Sequence, residues 1–224
     1  ARRAPFTVAL TITGYPPALE AATPPLERAV AAFRRLARLW GQQRGVWRYD
    51  PILLTSLTPA SWHRENFASI VRQLNGATDE CVVSFTTFYA KTRRNLALAA
   101  ARHGFHVVAP TADEKQTLLH DLSGIASAEG MRLTVCSQSD LLIPEKITAA
   151  RCIDVGRLSA VAGYALTAPT KGNRPGCLCA LSRDLGAYDT CPQGCAYCYA
   201  VRTTTVAQTS CRNHVASNSS LTRG

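Results

Sequence analysis

The chain reads as an α/β protein: an open, partial TIM-like barrel of parallel strands with flanking helices, followed by an irregular C-terminal cysteine-rich segment. Three observations predict this class. Apolar, β-branched runs alternate with amphipathic helical stretches through short loops, the pattern of parallel α/β architecture. The runs lack a clean inside–outside alternation, as expected of strands covered on both faces. Only four of them are convincing, too few for a closed eight-stranded barrel. The expected division is a partial barrel over residues 1–168 and a cysteine-rich segment with a polar tail over 169–224.

The elements follow in order. Phe6 to Thr13 is an apolar strand that stops at Gly14-Tyr15-Pro16-Pro17. Thr23-Pro24-Pro25 opens a helix, with proline in the first turn, and Leu26, Val30, Phe33, Ala37 and Trp40 keep its spacing until Gly41. Gly45 to Leu53 is the second strand, and Ser61 to Leu74 the second helix, closed by Asn75-Gly76. Cys81 to Phe88 is the third strand, and Lys91-Thr-Arg-Arg-Asn95 leads into an alanine-rich helix ending near Arg102. Phe105 to Val108 is a candidate short strand. Thr111-Ala-Asp-Glu114 is a capping box for a helix running to about Glu129. Arg132 to Cys136 is the fourth strand, and Asp154 to Val161 a short helix. Beyond Pro169 periodicity gives way to Gly, Pro and Cys, then to a Thr/Ser-rich tail.

Composition narrows the function classes. A chain of 224 residues with 46% hydrophobic residues can bury one sizeable core. No stretch approaches the roughly 20 continuous apolar residues of a membrane helix, and the expectation is of a chain without a signal peptide. Ala1-Arg-Arg-Ala-Pro5 runs straight into the first strand, which reads as a fragment or a short homologue. Nine cysteines, an odd number with five between Cys177 and Cys198, favour metal ligation in a reducing cytoplasm over a disulfide scaffold. The net charge of +10 has two readings: arginines solvating helix faces, such as Arg28, Arg34, Arg35 and Arg38, or a nucleic-acid partner. No aromatic–basic motif specifies the second.

The densest chemistry lies in Cys191-Pro-Gln-Gly-Cys195-Ala-Tyr-Cys198. Three thiolates spaced C-x3-C-x2-C let one short loop curl around a single centre, and Gly194 permits the tight backbone. Thiolates are soft ligands for iron–sulfur clusters or zinc. A [4Fe-4S] cubane held by three cysteines keeps one iron open, whereas structural zinc needs four closed ligands and no fourth is local. The spacing, with an aromatic before the last cysteine, is that of radical S-adenosylmethionine enzymes.

Other polar residues gather at expected strand ends, where parallel α/β folds place their chemistry. They include Thr13 and Tyr15; Arg48, Tyr49 and Asp50; Ser84 and Thr86; and Cys136 with Gln138. Arg48 and Asp50 are candidates to hold a polar ligand, against the plainer reading of a mutual ion pair and an Asp50-Pro51 turn. Lys91, with Arg94 and Asn95, is a candidate anion contact or simply a solvated helix start. The five histidines show no ligand-like pairing; His103 and His106 read as surface residues. Cys136, Cys152, Cys177 and Cys179 together supply four ligands for a second, closed cluster, although Cys81 and Cys136 taken singly read as small core residues.

Several blocks together resemble the domain-of-unknown-function family 1848. They are Leu10-Thr-Ile-Thr-Gly-Tyr15, Trp47-Arg-Tyr-Asp-Pro-Ile52, Val83-Ser-Phe85 with Tyr89 to Asn95, Cys152-Ile-Asp154, and Leu185 to Ala200 around the cysteine triad. The resemblance spans about Phe6 to Leu221 and extends to His214 after the cluster. It implies a C-terminal cysteine cluster like that of radical S-adenosylmethionine domains. It departs in lacking the family's additional N-terminal portion, in Gln138 where a glutamate is expected, and in Val215-Ala216 where the family has Asp-Pro. Spore photoproduct lyases carry a similar Cys-Tyr-Cys-Tyr ending to their cluster motif, where this chain has Cys195-Ala-Tyr-Cys-Tyr199, and only that motif matches. The expected function is an iron–sulfur enzyme in which Cys191, Cys195 and Cys198 hold [4Fe-4S], S-adenosylmethionine binds the open iron, and an electron donor reduces the cluster. Arg48, Asp50 and Lys91 would contact a small-molecule or nucleic-acid substrate. The alternative is a non-enzymatic, zinc-stabilised nucleic-acid-binding protein. One tension is built in: radical S-adenosylmethionine domains carry the cysteine loop after the first strand, whereas here it follows the last.

Overall fold

The computed structural model describes residues 4–183, 185–215 and 217. Five parallel strands form one open sheet in the order β1-β2-β3-β4-β5: Val8–Thr11, Gly45–Ile52, Glu80–Phe85, Arg132–Val135 and Thr148–Ala149. Sequential strands are neighbours throughout, so every connection is a simple crossover. The sheet does not close, and β1 and β5 are its edges.

Helices α1 (Leu26–Trp40), α2 (Ala60–Leu74) and α4 (Ala112–Ala128) pack on one face. Their buried stripes meet Trp47 and Tyr49 of β2, Cys81 and Val83 of β3, and Leu133 and Val135 of β4. Side chains alternate along a strand, so Arg48, Asp50, Val82, Ser84 and Thr134 point to the other face. At the centre of the core Phe67 stacks on the Trp47 indole at 4.9 Å, and the indole N–H donates to the Ile12 carbonyl at 2.9 Å. That bond satisfies the one polar atom of an otherwise fully buried ring.

The remaining helices are α3 (Ala90–His103), α5 (Val155–Ala162) and α6 (Thr204–Arg212). The capping box of α4 forms as read: Glu114 N–H donates to the Thr111 hydroxyl at 3.2 Å, and Thr111 N–H to the Glu114 carboxylate at 2.7 Å. Helix α5 is tied under the second face by Arg157, which donates to Asp79 at 2.8 Å and to Glu80 at 2.7 Å.

Four readings are corrected. Residues 105–108 are not a strand; Val107 makes a single antiparallel bridge to Thr55. The two-residue β5 was not anticipated. Part of the expected polar tail is helix α6, capped by the Thr203 hydroxyl accepting from Val206 N–H at 3.2 Å. Asp50-Pro51, read as a possible turn, lies within β2 with a cis peptide bond. Ala216 and residues 218–224 of the tail lie outside the described residues. Among the described residues no helix is long and apolar enough to cross a membrane.

Candidate functional site

In a parallel sheet the segments that follow the strands all emerge at one end, and the cysteine loop docks there. The Ala196 N–H donates to the Leu19 carbonyl at 2.8 Å, and the Ala22 N–H to the Gln193 carbonyl at 3.0 Å. Leu19 and Ala22 belong to the segment after β1. From the segment after β3, Thr92 donates to the Tyr197 carbonyl and Asn95 to the Cys198 carbonyl, each at 3.2 Å. The neck of the loop is closed by Asp189, whose carboxylate accepts from the Arg202 side chain at 2.7 Å and its backbone N–H at 2.6 Å. The Arg202 amide and guanidinium hold the Asp189 carboxyl below the usual carboxylate range. Gly194 sits in the left-handed region at φ +68°, which permits the turn between Cys191 and Cys195.

The loop roofs a cavity of about 660 Å³ lined by Thr13, Tyr15, Glu20, Arg28, Gln193 and Cys195, among others. Within it Glu20 is 8% exposed, and its Oε1 accepts from the Thr13 hydroxyl at 2.6 Å and from the Tyr197 hydroxyl. Burial, then the neighbouring Cys195 and Glu20 charges, push the Tyr197 phenol far up, so it stays a donor. Burial and the Glu20 carboxylate push the Cys195 thiol up to about 12, and the nearby Cys198 and Cys191 sulfurs add to the rise.

The three sulfurs thus share one electrostatic neighbourhood without closing on a point. Among the described residues no set of three or more His, Cys, Asp or Glu side chains converges on a single ion. Three soft donors on one glycine-turned loop, with Cys195 lining the cavity, are suited by their chemistry to an iron–sulfur cluster or to zinc.

A second group of sulfurs occupies the other face of the sheet. Cys136 directly follows β4 and Cys152 follows β5, and their sulfurs are 3.8 Å apart. Arg174 donates to the Cys136 sulfur at 3.2 Å, and Arg48 to the Cys152 sulfur at 2.9 Å. Arg48 also grips Asp50 with two hydrogen bonds, at 3.0 and 2.5 Å, and Ser84 donates to the same carboxylate at 3.3 Å. Burial opposes the Arg48 charge, but Asp50 and Cys152 outweigh it and the guanidinium pKa is raised. Burial lifts the Asp50 carboxyl, and the Arg48 contact opposes the rise. The two cysteines titrate as a unit. The Cys152 thiol, with help from Arg174 and Ser137, holds Cys136 far below the ordinary thiol range, while the bond it donates, together with burial, raises Cys152. Cys177 lies against Cys179 and Ser137, next to this pair.

The expected site residues therefore fall into three places. Arg48 and Asp50 form one ion pair with the Cys136–Cys152 unit. Cys191, Cys195 and Cys198 sit on the docked loop, where Cys195 bridges to Glu20 after β1, Cys198 is tied to Asn95 of α3, and Cys191 is exposed. Lys91 sits 5.6 Å from the Tyr188 ring beside the loop neck, and no hydrogen bond or ion pair among the described residues joins it to Arg48 or Asp50. The loop was expected within reach of Arg48, Asp50 and Cys136; its hydrogen bonds run to the segments after β1 and β3. Glu20 and Arg174 were missed, since nothing local marks either one. Tyr197 stood in the motif as the aromatic before the third cysteine.

No curated protein and no solved structure matches the chain. One comparison is positive and spans nearly all the elements above, including both cysteine groups. The family model described as "Domain of unknown function (DUF1848)" matches residues 1–200, and the chain belongs to that family.

Proposed function

We propose that this protein is an iron–sulfur enzyme resembling radical S-adenosylmethionine enzymes, with Cys191, Cys195 and Cys198 as the ligands of a [4Fe-4S] cluster. One observation carries the reading: the C-x3-C-x2-C loop, although last in the sequence, is sewn to the segment that follows β1 and faces a cavity there. This docking supports the reading, because the loop, although last in the sequence, lies beside the segment that follows a strand early in the chain. When bound, the cluster and S-adenosylmethionine would supply one-electron reduction and radical chemistry.

The chain's own residues have definable tasks. Cys195 must give up its proton on ligation, and the Tyr197 and Thr13 hydroxyls keep Glu20 fixed beside it. Gln193, Glu20 and Thr13 present polar atoms to whatever enters the cavity, whose volume suits a small molecule. Arg48 and Asp50 are held rigid on the inner face, where they would orient a polar substrate. Thiolate ligation requires reduced cysteines, which fits a cytoplasmic location.

Metal analysis of anaerobically purified protein tests the reading. Iron with acid-labile sulfide, and visible absorbance that bleaches on reduction, is the expected result. Cys191→Ala, Cys195→Ala and Cys198→Ala should each lose the cluster, whereas Cys211→Ala in α6 should keep it. Full iron in any triad variant overturns the assignment. Stoichiometric zinc without colour would instead favour a metal-stabilised nucleic-acid-binding protein, a role its charge of +10 would serve.

A further inference from the structure

We infer that Cys136 and Cys152 form a redox-active dithiol that exchanges with small disulfides, a site separate from the cysteine triad. The inference rests on where the sheet places the two sulfurs. Residues 134 and 135 of β4 register with 148 and 149 of β5, and the Ala150 N–H continues the ladder to the Val135 carbonyl at 2.8 Å. Cys136 and Cys152 thus leave adjacent parallel strands with their side chains on the same face, beside Val82 and Ala150. Their sulfurs stand 3.8 Å apart, about 1.8 Å beyond a disulfide bond.

The surroundings match this chemistry. Each sulfur accepts from its own guanidinium, Arg48 on Cys152 and Arg174 on Cys136. Cationic donors favour the thiolate that exchange requires. Asp50, the acidic group in contact, is already neutralised by Arg48 through two hydrogen bonds. Only two sulfurs meet here. Cys177 and Cys179 lie nearby, but no set of three converges on an ion among the described residues. Cys152 is the half-buried member and Cys136 is 4% exposed, so an incoming reagent reaches Cys152 first.

The exchange balances. The pair shares one proton, which rests on Cys152. When that proton passes across the 3.8 Å contact to Cys136, the more exposed Cys152 becomes the thiolate and attacks one sulfur of a reagent disulfide, forming a mixed disulfide and expelling a thiolate. That thiolate takes the proton of Cys136. Cys136 then attacks the Cys152 sulfur, closes the Cys136–Cys152 bond and releases the second half of the reagent as thiolate. The protein loses two electrons and the reagent disulfide gains two. Closure also removes the negative charge between Arg48 and Arg174, so the oxidation state sets the charge of the inner face.

The test uses the full chain, purified under nitrogen and equilibrated in oxidised and reduced glutathione. It is then acid-quenched, alkylated and mapped by peptide mass spectrometry. The expected result is one reversible cross-linked peptide joining Cys136 to Cys152. It should persist in a Cys177→Ser/Cys179→Ser variant and be lost in Cys152→Ser. Two results would overturn the inference: Cys136 and Cys152 remaining separately alkylatable while other thiols oxidise, or both resisting alkylation until a chelator is added, the mark of metal ligands. The wild-type measurement decides between these outcomes even if a variant fails to fold.

Discussion

His63 is fully buried, its Nδ1 accepting from the Tyr49 hydroxyl at 2.9 Å and its Nε2–H donating to the Leu53 carbonyl at 3.1 Å. A carbonyl can only accept, so the proton sits on Nε2 and the ring is neutral. Burial lowers its pKa from 6.5 to about 4, with the Leu53 carbonyl opposing. Between those values the unfolded chain holds a proton that the folded chain refuses, so stability falls as pH drops from 6.5 toward 4, by about 3 kcal/mol in all. Denaturant melts across this range should show that slope, and His63→Gln, which can keep both hydrogen bonds, should flatten it. An unchanged slope in the variant would place the acid sensitivity elsewhere. Asp50 makes a different case, because its carboxylate balances Arg48 in a largely buried setting where side-chain exposures are 11% and 16%. Asp50→Asn should therefore destabilise the fold by roughly 3 kcal/mol, the cost of leaving a buried cation without its counterion. Chemical denaturation measures it.

Elements in this chain are joined by close approaches that a single methyl group can disturb. Gly45 opens β2 directly beneath α1, and a Cβ there would lie 2.8 Å from the Phe33 ring, itself fully buried. Gly45→Ala should cost about 1–3 kcal/mol, the range for overpacking a filled core, read as a lowered denaturation midpoint. The same reasoning explains what the sequence made legible. Helix α4 was readable because its Thr111–Glu114 box is local, and α1 and α2 because Val30, Phe33, Phe67 and Ile70 repeat at helical spacing. Strand β5 was not, since two residues carry no period and owe their conformation to pairing with β4. Helix α6 escaped because its only buried side chain is Ala207, which leaves no apolar stripe to detect. Arg48 and Asp50, two apart on one strand, had to share a face. The Cys136–Cys152 and Cys195–Glu20 contacts depend on register and on docking across distant segments, and no window of the sequence holds that information.

At the scale of the whole molecule, the last part of the chain is held to the first by backbone hydrogen bonds from the cysteine loop to Leu19 and Ala22 and by the Glu20–Tyr197 contact. Ala196 and Tyr197 add apolar contact with the buried group around Tyr15 and Leu19, while Cys191 is exposed and Tyr199 is 50% exposed. A cluster bound by Cys191, Cys195 and Cys198 would bind the folded loop and not the unfolded chain, so its binding free energy adds to the stability of the docked state. Protein reconstituted anaerobically with iron and sulfide should therefore melt several degrees above the same protein stripped of metal. The gain should be confined to the docked region, so limited trypsin digestion should cut the stripped form faster at Arg202, whose side chain is 67% exposed at the loop neck. Asp189→Asn, which weakens that neck without touching a ligand, should speed the same cleavage in both forms while leaving iron content unchanged. If iron loading left both the melting temperature and the Arg202 cleavage rate where they were, the loop would be docked without help from a cluster, and the triad's ligand role would fall with it.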